Sequence, residues 1–230
     1  MRLIATTGRK GGVGKTTTTL ALAAMLHRDG LRVLVLDLDV QGSASVALGA
    51  EPAESGSAAV LDGRGSEVEL HDAGGVQVLT GGAELEDAPA DADLRAVLEP
   101  FGADVVLIDC PPGHPDLDRM AVRHADAVLV CTEAHRMGVA GAARVIRDVQ
   151  ALATVPPTAL VVGRVDTRRT LDRTAPELLR GAFAGVRVFT VRQDSALAGA
   201  LNAGELPRPG GNGWRDIEAV HDWITKVVGR

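Results

Sequence analysis

The sequence predicts an α/β fold: a mostly parallel, twisted β-sheet flanked by helices on both faces, as a single domain over 1–230. Three observations predict it. Short β-branched runs alternate with helical patterns along the chain, as they do where crossover helices join parallel strands. Several of those runs are apolar nearly throughout, as strands covered on both faces must be. A glycine-rich turn also joins the first strand directly to the first helical pattern.

The predicted strands are Arg2–Thr7, Arg32–Leu36, Val76–Thr80, Val105–Ile108, Ala127–Val130, Ala159–Val162 and Val186–Val191. Between and after them, helical spacing of apolar residues predicts Thr16–Asp29, Asp91–Glu99, Leu117–His124, Val139–Ala153, Asp172–Ala182, Ser195–Asn202 and Trp214–Val228. The stretch Ala50–Gly75, rich in Ala, Gly, Ser and acids, reads as a surface excursion, and Pro207–Gly213 as a turn before the last helix. Each crossover is expected to be right-handed, which places a ligand at the carboxyl ends of the strands.

The turn itself carries chemistry. Residues 10–17 read Lys10-Gly11-Gly12-Val13-Gly14-Lys15-Thr16-Thr17. Glycines let backbone N–H groups converge on a polyphosphate, Lys15 can reach its β and γ oxygens, and the Thr16 hydroxyl can join a Mg²⁺ shell. Arg9 stands where the ordinary phosphate-binding loop has its first glycine, and Lys10 is an added lysine.

Two acidic strand ends follow. Val33-Leu34-Val35-Leu36 runs into Asp37-Leu38-Asp39-Val40-Gln41-Gly42, where strand alternation puts Asp37 and Asp39 on one side. Val105-Val106-Leu107-Ile108 runs into Asp109-Cys110-Pro111-Pro112-Gly113, a buried strand ending in a carboxylate able to hold a Mg²⁺-bound water.

The loop resembles the deviant Walker A motif, K-G-G-x-G-K-[ST], of the ParA/MinD family of partitioning and positioning ATPases. The resemblance extends to a D-x-D-P-Q-G segment, here with Val40 for proline, and to the D-C-P-P of the second switch. It implies a P-loop NTPase that binds ATP or ADP with Mg²⁺ through residues 10–17 and through Asp37, Asp109 and Pro111. Lys10, Lys15 and Asp39 are its implied catalytic residues, with Asp39 positioning the attacking water. Thr16, Asp37 and Asp109 are the implied metal set, and Lys10 is implied to reach across a homodimer onto the partner's nucleotide.

Weaker segments continue the likeness. Glu133 to Gly141 resembles an acidic-x-x-x-A-x-x-G segment near the dimer seam and base pocket, Asp166-Thr167-Arg168 a D-x-R turn, and Arg192-Gln193 the turn after the last strand. Glu133, Arg164 and Asp166 are placed beside the nucleotide on this basis. The asparagine with which some relatives read adenine falls near Gly163. His135 reads as an ordinary loop histidine. Cys110 does not match the position of an iron–sulfur ligand and reads as a small buried thiol. The likeness, from Arg2 to about Pro207, is to short partition ATPases without an N-terminal helix-turn-helix.

Composition bounds the rest. Net charge is −6, with 46% hydrophobic and 23% charged residues, and Cys110 and Cys131 suggest no disulfide framework. No apolar run approaches the ~18 residues of a membrane span, and a strand beginning near Met1 leaves no room for a leader; a cytoplasmic, nucleoid-associated protein is expected. Charge is uneven: Glu51 to Asp109 holds fourteen acids against two Arg, whereas Arg144 to Arg192 holds nine Arg against four acids. The second stretch offers a local basic face to an anionic polymer, with Arg144, Arg147, Arg168, Arg169, Arg173 and Arg192 as candidate contacts for DNA bound without sequence preference. The family implies a ParB-like centromere-binding adaptor as partner and a function in plasmid or chromosome segregation.

Two alternatives are weighed. A MinD-like membrane positioner is suggested by the stripe Ile217, Val220, Ile224 and Val227, with Trp223 beside it, although such a stripe more often docks on its own core. An ATP-dependent metabolic enzyme on the same scaffold needs a substrate pocket that no motif spells out. The chain has no tyrosine, which disfavours relatives of the tyrosine kinases that carry a C-terminal tyrosine cluster.

Overall fold

The computed structural model describes residues 1–51, 56–183 and 185–229, with the side chains at 170, 171, 173, 175, 176 and 178 outside the description. In chain order the strands are β1 (Arg2–Thr7), β2 (Val33–Asp37), β3 (His71–Ala73), β4 (Val76–Leu79), β5 (Val105–Asp109), β6 (Ala127–Thr132), β7 (Thr158–Val165) and β8 (Arg187–Arg192). The helices are α1 (Lys15–Arg28), α2 (Ser43–Ala47), α3 (Ser57–Leu61), α4 (Leu94–Leu98), α5 (Pro115–His124), α6 (Arg136–Gln150), α7 (Thr170–Ala182), α8 (Ser195–Asn202) and α9 (Gly211–Val227).

All of these strands join one sheet in the order β3-β4-β2-β5-β1-β6-β7-β8, parallel except for the β3–β4 pair. Strand β1 lies between β5 and β6. The chain leaves it through α1 for β2 on one side and later fills β6 to β8 on the other. The carboxyl end of β1 is thus the switch point where open α/β sheets bind ligands.

Alternation along the strands divides the core. Ile4, Val35, Leu107 and Leu129 face α1, α8 and α9, whereas Leu3, Leu36, Val106 and Ile108 face α3, α4 and α5. Val128, Val130, Leu160 and Val162 pack against Val145, Ile146 and Val149 of α6. The C-terminal stripe belongs to this core: Ile217, Val220 and Ile224 are fully buried against α1 and β8, and Trp223 meets Phe189 edge-on at 6.1 Å between ring centroids. Those residues are therefore not a free face for lipid. Among the described residues no helix is long and apolar enough to cross a membrane.

The elements differ from the sequence expectation where local signals were short or ambiguous. Strand β3 and helices α2 and α3 were not expected. The Ala50–Gly75 excursion is partly core: Ala58, Val60 and Leu61 of α3 are buried with Leu85 and Leu94, although residues 52–55 of this stretch lie outside the described ones. Its small residues read as a loop, yet they fit a tight space beside β4. Helix α6 starts at Arg136 rather than Val139 because His135 Nδ1 accepts the Gly138 N–H at 3.1 Å and caps the helix. Helix α4 is only Leu94–Leu98, with Asp93 accepting from Arg95 N at 3.0 Å.

Candidate functional site

The loop after β1 turns at Gly12 (φ 75°) and Gly14 (φ 94°), left-handed conformations that favour glycine, and Gly14 delivers the chain into α1 without a capping side chain. The first N–H groups of α1 are thereby left for a ligand, and the helix dipole favours an anion there. Lys15 is 7% exposed, with its ammonium donating to the Lys10 carbonyl at 3.3 Å across the loop.

Register places the acids. Asp37 and Asp109 end β2 and β5 as direct partners in the ladder, and Thr6 of β1 pairs with Asp109 on its other side. The Thr16 hydroxyl donates to Asp109 Oδ2 at 2.6 Å and that of Thr19 to Oδ1 at 3.4 Å. Asp37 accepts from the Asp39 N–H at 3.0 Å, and from the Ser45 N–H and hydroxyl at 2.8 and 2.7 Å, so it fastens the start of α2 to the end of β2. Asp39 accepts from Gln41 N at 3.0 Å and from the Ser43 hydroxyl at 2.7 Å, and unlike Asp37 it reaches the cavity wall.

Burial, then their mutual repulsion, pushes the Asp109 carboxyl up to about 7; burial, only partly offset by the hydrogen bonds from Ser45, takes Asp37 to about 6. Lys15 offsets only part of this, so two buried carboxyls side by side still favour a further positive charge. Among the described residues no group of three or more His, Cys, Asp or Glu is arranged to hold a metal. Mg²⁺ takes most of its oxygens from phosphate and water, so the Thr16–Asp109 pair fits an ion brought in with a nucleotide.

A cavity of about 920 Å³ opens above these groups. One wall is the loop and the start of α1, with Lys15, Thr16 and Thr17, together with Asp39 after β2; the others are residues 163–168 at the end of β7 and just beyond it, and Val191 to Ser195 leading into α8, with Leu197, Ala198, Asn202 and Asn212. The sequence reading did not single out Asp194, Ser195, Asn202 or Asn212, which reach the cavity only through the fold. A smaller hollow of about 390 Å³ lies near His27, Arg32 and Phe101, at the start of β2.

Several expected residues sit elsewhere than expected. Pro112 lines the cavity while Pro111 is buried behind it. A Cβ on Gly163 would stand 2.5 Å from the Val13 carbonyl oxygen, so no base-reading side chain fits there. The next residue, Arg164, has φ 56°, the one positive value on a non-glycine among the described residues, and its Nη1 donates to the Gly12 carbonyl at 3.2 Å. Lys10 and Glu133 stand outside the cavity wall, paired with each other at 2.7 Å. That ammonium holds the Glu133 carboxyl below the usual carboxylate range.

The candidate DNA arginines divide. Arg144 and Arg147 are exposed on α6. Arg168 is forked onto Asp166 at 2.8 Å through both nitrogens, holding that carboxyl at about 2, and Arg169 lies 3.9 Å from the same group. Arg192 is forked onto Asp216 at 2.8 and 2.7 Å. Both forked arginines line the cavity, so they are less free for a polymer than the sequence suggested. The Arg173 side chain lies outside the described residues. Cys110 and Cys131 are buried free thiols, both pushed up by burial and Cys131 to about 12.

Fold and site together define a nucleotide-binding protein with a phosphate loop at the switch point of a parallel sheet. Residues 4–207 match the model of the CobQ/CobB/MinD/ParA nucleotide binding domain, and the chain belongs to this family. It is 38% identical over 199 residues to the chromosome-partitioning ATPase Soj of Thermus thermophilus, covering 82% of this chain and 79% of that one. With the chromosome partitioning protein ParA of Caulobacter vibrioides it shares 30% over 233 residues, 90% of this chain and 84% of the other. The structure of the septum site-determining protein MinD of Pyrococcus horikoshii, complexed with Mg-ADP, superposes with TM-score 0.82 at 21% identity, over 99% and 97% of the two chains.

Proposed function

We propose that the chain is a ParA-type, Mg²⁺-dependent ATPase that acts as a nucleotide switch in DNA partition: ATP closes a homodimer that holds DNA without sequence preference, and hydrolysis releases it. The observation that carries this reading is a loop with two lysines of opposite placement. Lys15 is buried at the cavity, and Lys10 is exposed outside it.

Lys15 and the N–H groups of residues 11–16 bind the β and γ phosphates, and Thr16 and Asp109, with Asp37 behind them, would hold the Mg²⁺ that arrives with the nucleotide. That ion would supply charge neutralisation on the phosphates. Asp39, steadied by Ser43 and Gln41, orients the attacking water. Phosphoryl transfer to water depends on positioning and charge neutralisation more than on a strong base, which fits a site without a histidine at its centre. Arg164, Asp166 and Pro112 border the nucleotide. Lys10 of each protomer reaches the partner's nucleotide, so triphosphate binds the dimer better than the monomer and shifts the population toward it.

Arg144 and Arg147 are the favoured DNA contacts, with Arg169 beside Asp166 as a third candidate. Slow basal hydrolysis, stimulation by a ParB-like adaptor and association with the nucleoid complete the reading. The buried α9 stripe removes the feature that suggested a membrane positioner. The test compares Lys10→Ala with Lys15→Ala: the first binds ATP without pairing, the second loses both. Pairing by Lys10→Ala at wild-type ATP concentrations contradicts the proposal.

A further inference from the structure

We infer that Glu133 is a positioning residue that holds Lys10 on its own chain until a second copy's nucleotide competes for it. The inference rests on the reading that Lys10 acts across a dimer. The Glu133 carboxylate gathers nitrogen groups from three parts of the fold. Lys10 Nζ, from the phosphate loop, donates to Oε2 at 2.7 Å; His135 Nε2, from the cap of α6, lies 2.9 Å from the same oxygen; Arg164 Nη1, from β7, lies 4.0 Å from Oε1.

The geometry suits a contact made to be exchanged. Lys10 has a side chain 57% exposed, whereas Glu133 is 20% exposed, so a mobile arm rests on a fixed anchor. When Lys10 leaves, His135 and Arg164 remain beside the carboxylate, so departure does not strand a bare half-buried charge. Lys10 and His135 stand 3.5 Å apart on one oxygen, crowding that eases the lysine's exit. A polyphosphate presents several charged oxygens against this single carboxylate and wins the ammonium only when a partner brings it into reach. The hold keeps Lys10 off the wall of its own cavity, which favours use of the residue in trans.

The test exploits composition: the whole chain has three lysines, Lys10, Lys15 and Lys226. Limited amine acylation of the nucleotide-free full chain, read by mass spectrometry, compares Lys10 with the remote Lys226. In Glu133→Gln the Lys10 to Lys226 ratio rises about two- to fivefold, the range expected for one exposed ion pair. In an Asp39→Ala background, half-saturating ATP for dimerisation falls by a similar factor when Glu133→Gln is added. An unchanged ratio overturns the hold. A raised ratio with unchanged half-saturation overturns its link to pairing. If neither chain pairs at saturating ATP, the underlying dimer reading fails, while the ratio still decides whether Glu133 holds Lys10.

Discussion

Asp37 and Asp109 end adjacent strands at matched positions, and this register forces two carboxyls into a dry interior beside one another. Both are raised above the ~3.9 of an unfolded Asp, so between about pH 4 and 7 the folded chain binds more protons than the unfolded one. Ligand-free stability therefore falls as pH rises through that window. Urea midpoints at pH 5 and pH 8 should show the wild type more stable at pH 5, and Asp109→Asn should shrink the difference; an equal pH effect in both contradicts the assignment. The same charges predict proton release on binding Mg-ADP near pH 6.5, seen in calorimetry as a heat that changes with buffer ionisation enthalpy. Gly163 makes a steric point at this scale. Gly163→Asn drives a Cβ into the Val13 carbonyl and should weaken ADP binding at least tenfold by equilibrium dialysis. Of the site, the loop and the two acidic strand ends were legible because their chemistry is local. The Lys10–Glu133 pair was not, since its members are 123 positions apart and only the β1–β6 pairing brings them together.

At the scale of elements, α6 and α9 carry the contrasting outcomes. The sequence displayed basic residues and an apolar stripe, and the fold decides which is available. Arg144 and Arg147 lie on the exposed side of α6, opposite Val145, Ile146 and Val149. Changing both to Ala should weaken ATP-dependent DNA retention and lower the slope of log affinity against log salt by about 1 to 2, with ATPase activity unchanged. An unaltered slope removes α6 from the interface. Ile224, fully buried on α9, should cost about 2–5 kcal/mol when cut to Ala, measured by urea denaturation, because a cavity opens against α1 and β8. A loss below about 1 kcal/mol would mean that the stripe is not core. Continuous apolar strands and long periodic helices were readable from pattern alone. Strand β3, three residues long and hairpin-paired to β4, and α3, built from Ser, Ala, Val and Leu, carried too little pattern to separate from a loop.

For the whole molecule, the sheet places the cavity of about 920 Å³ at the switch point, with Lys15 in its wall and Lys10 outside it. In the proposed switch, a monomer uses Lys15 and leaves Lys10 paired with Glu133, and a dimer uses both. The charge asymmetry follows the same geometry, with the acid-rich segment on the β3–β4 side and the arginine-rich segment on the β7–β8 side. Light scattering on an Asp39→Ala chain saturated with Mg-ATP tests the central claim most directly. Mass should double relative to the ADP-bound chain and return to that of a single chain when Lys10→Ala is added. Single-chain mass for Asp39→Ala at saturating ATP contradicts the account.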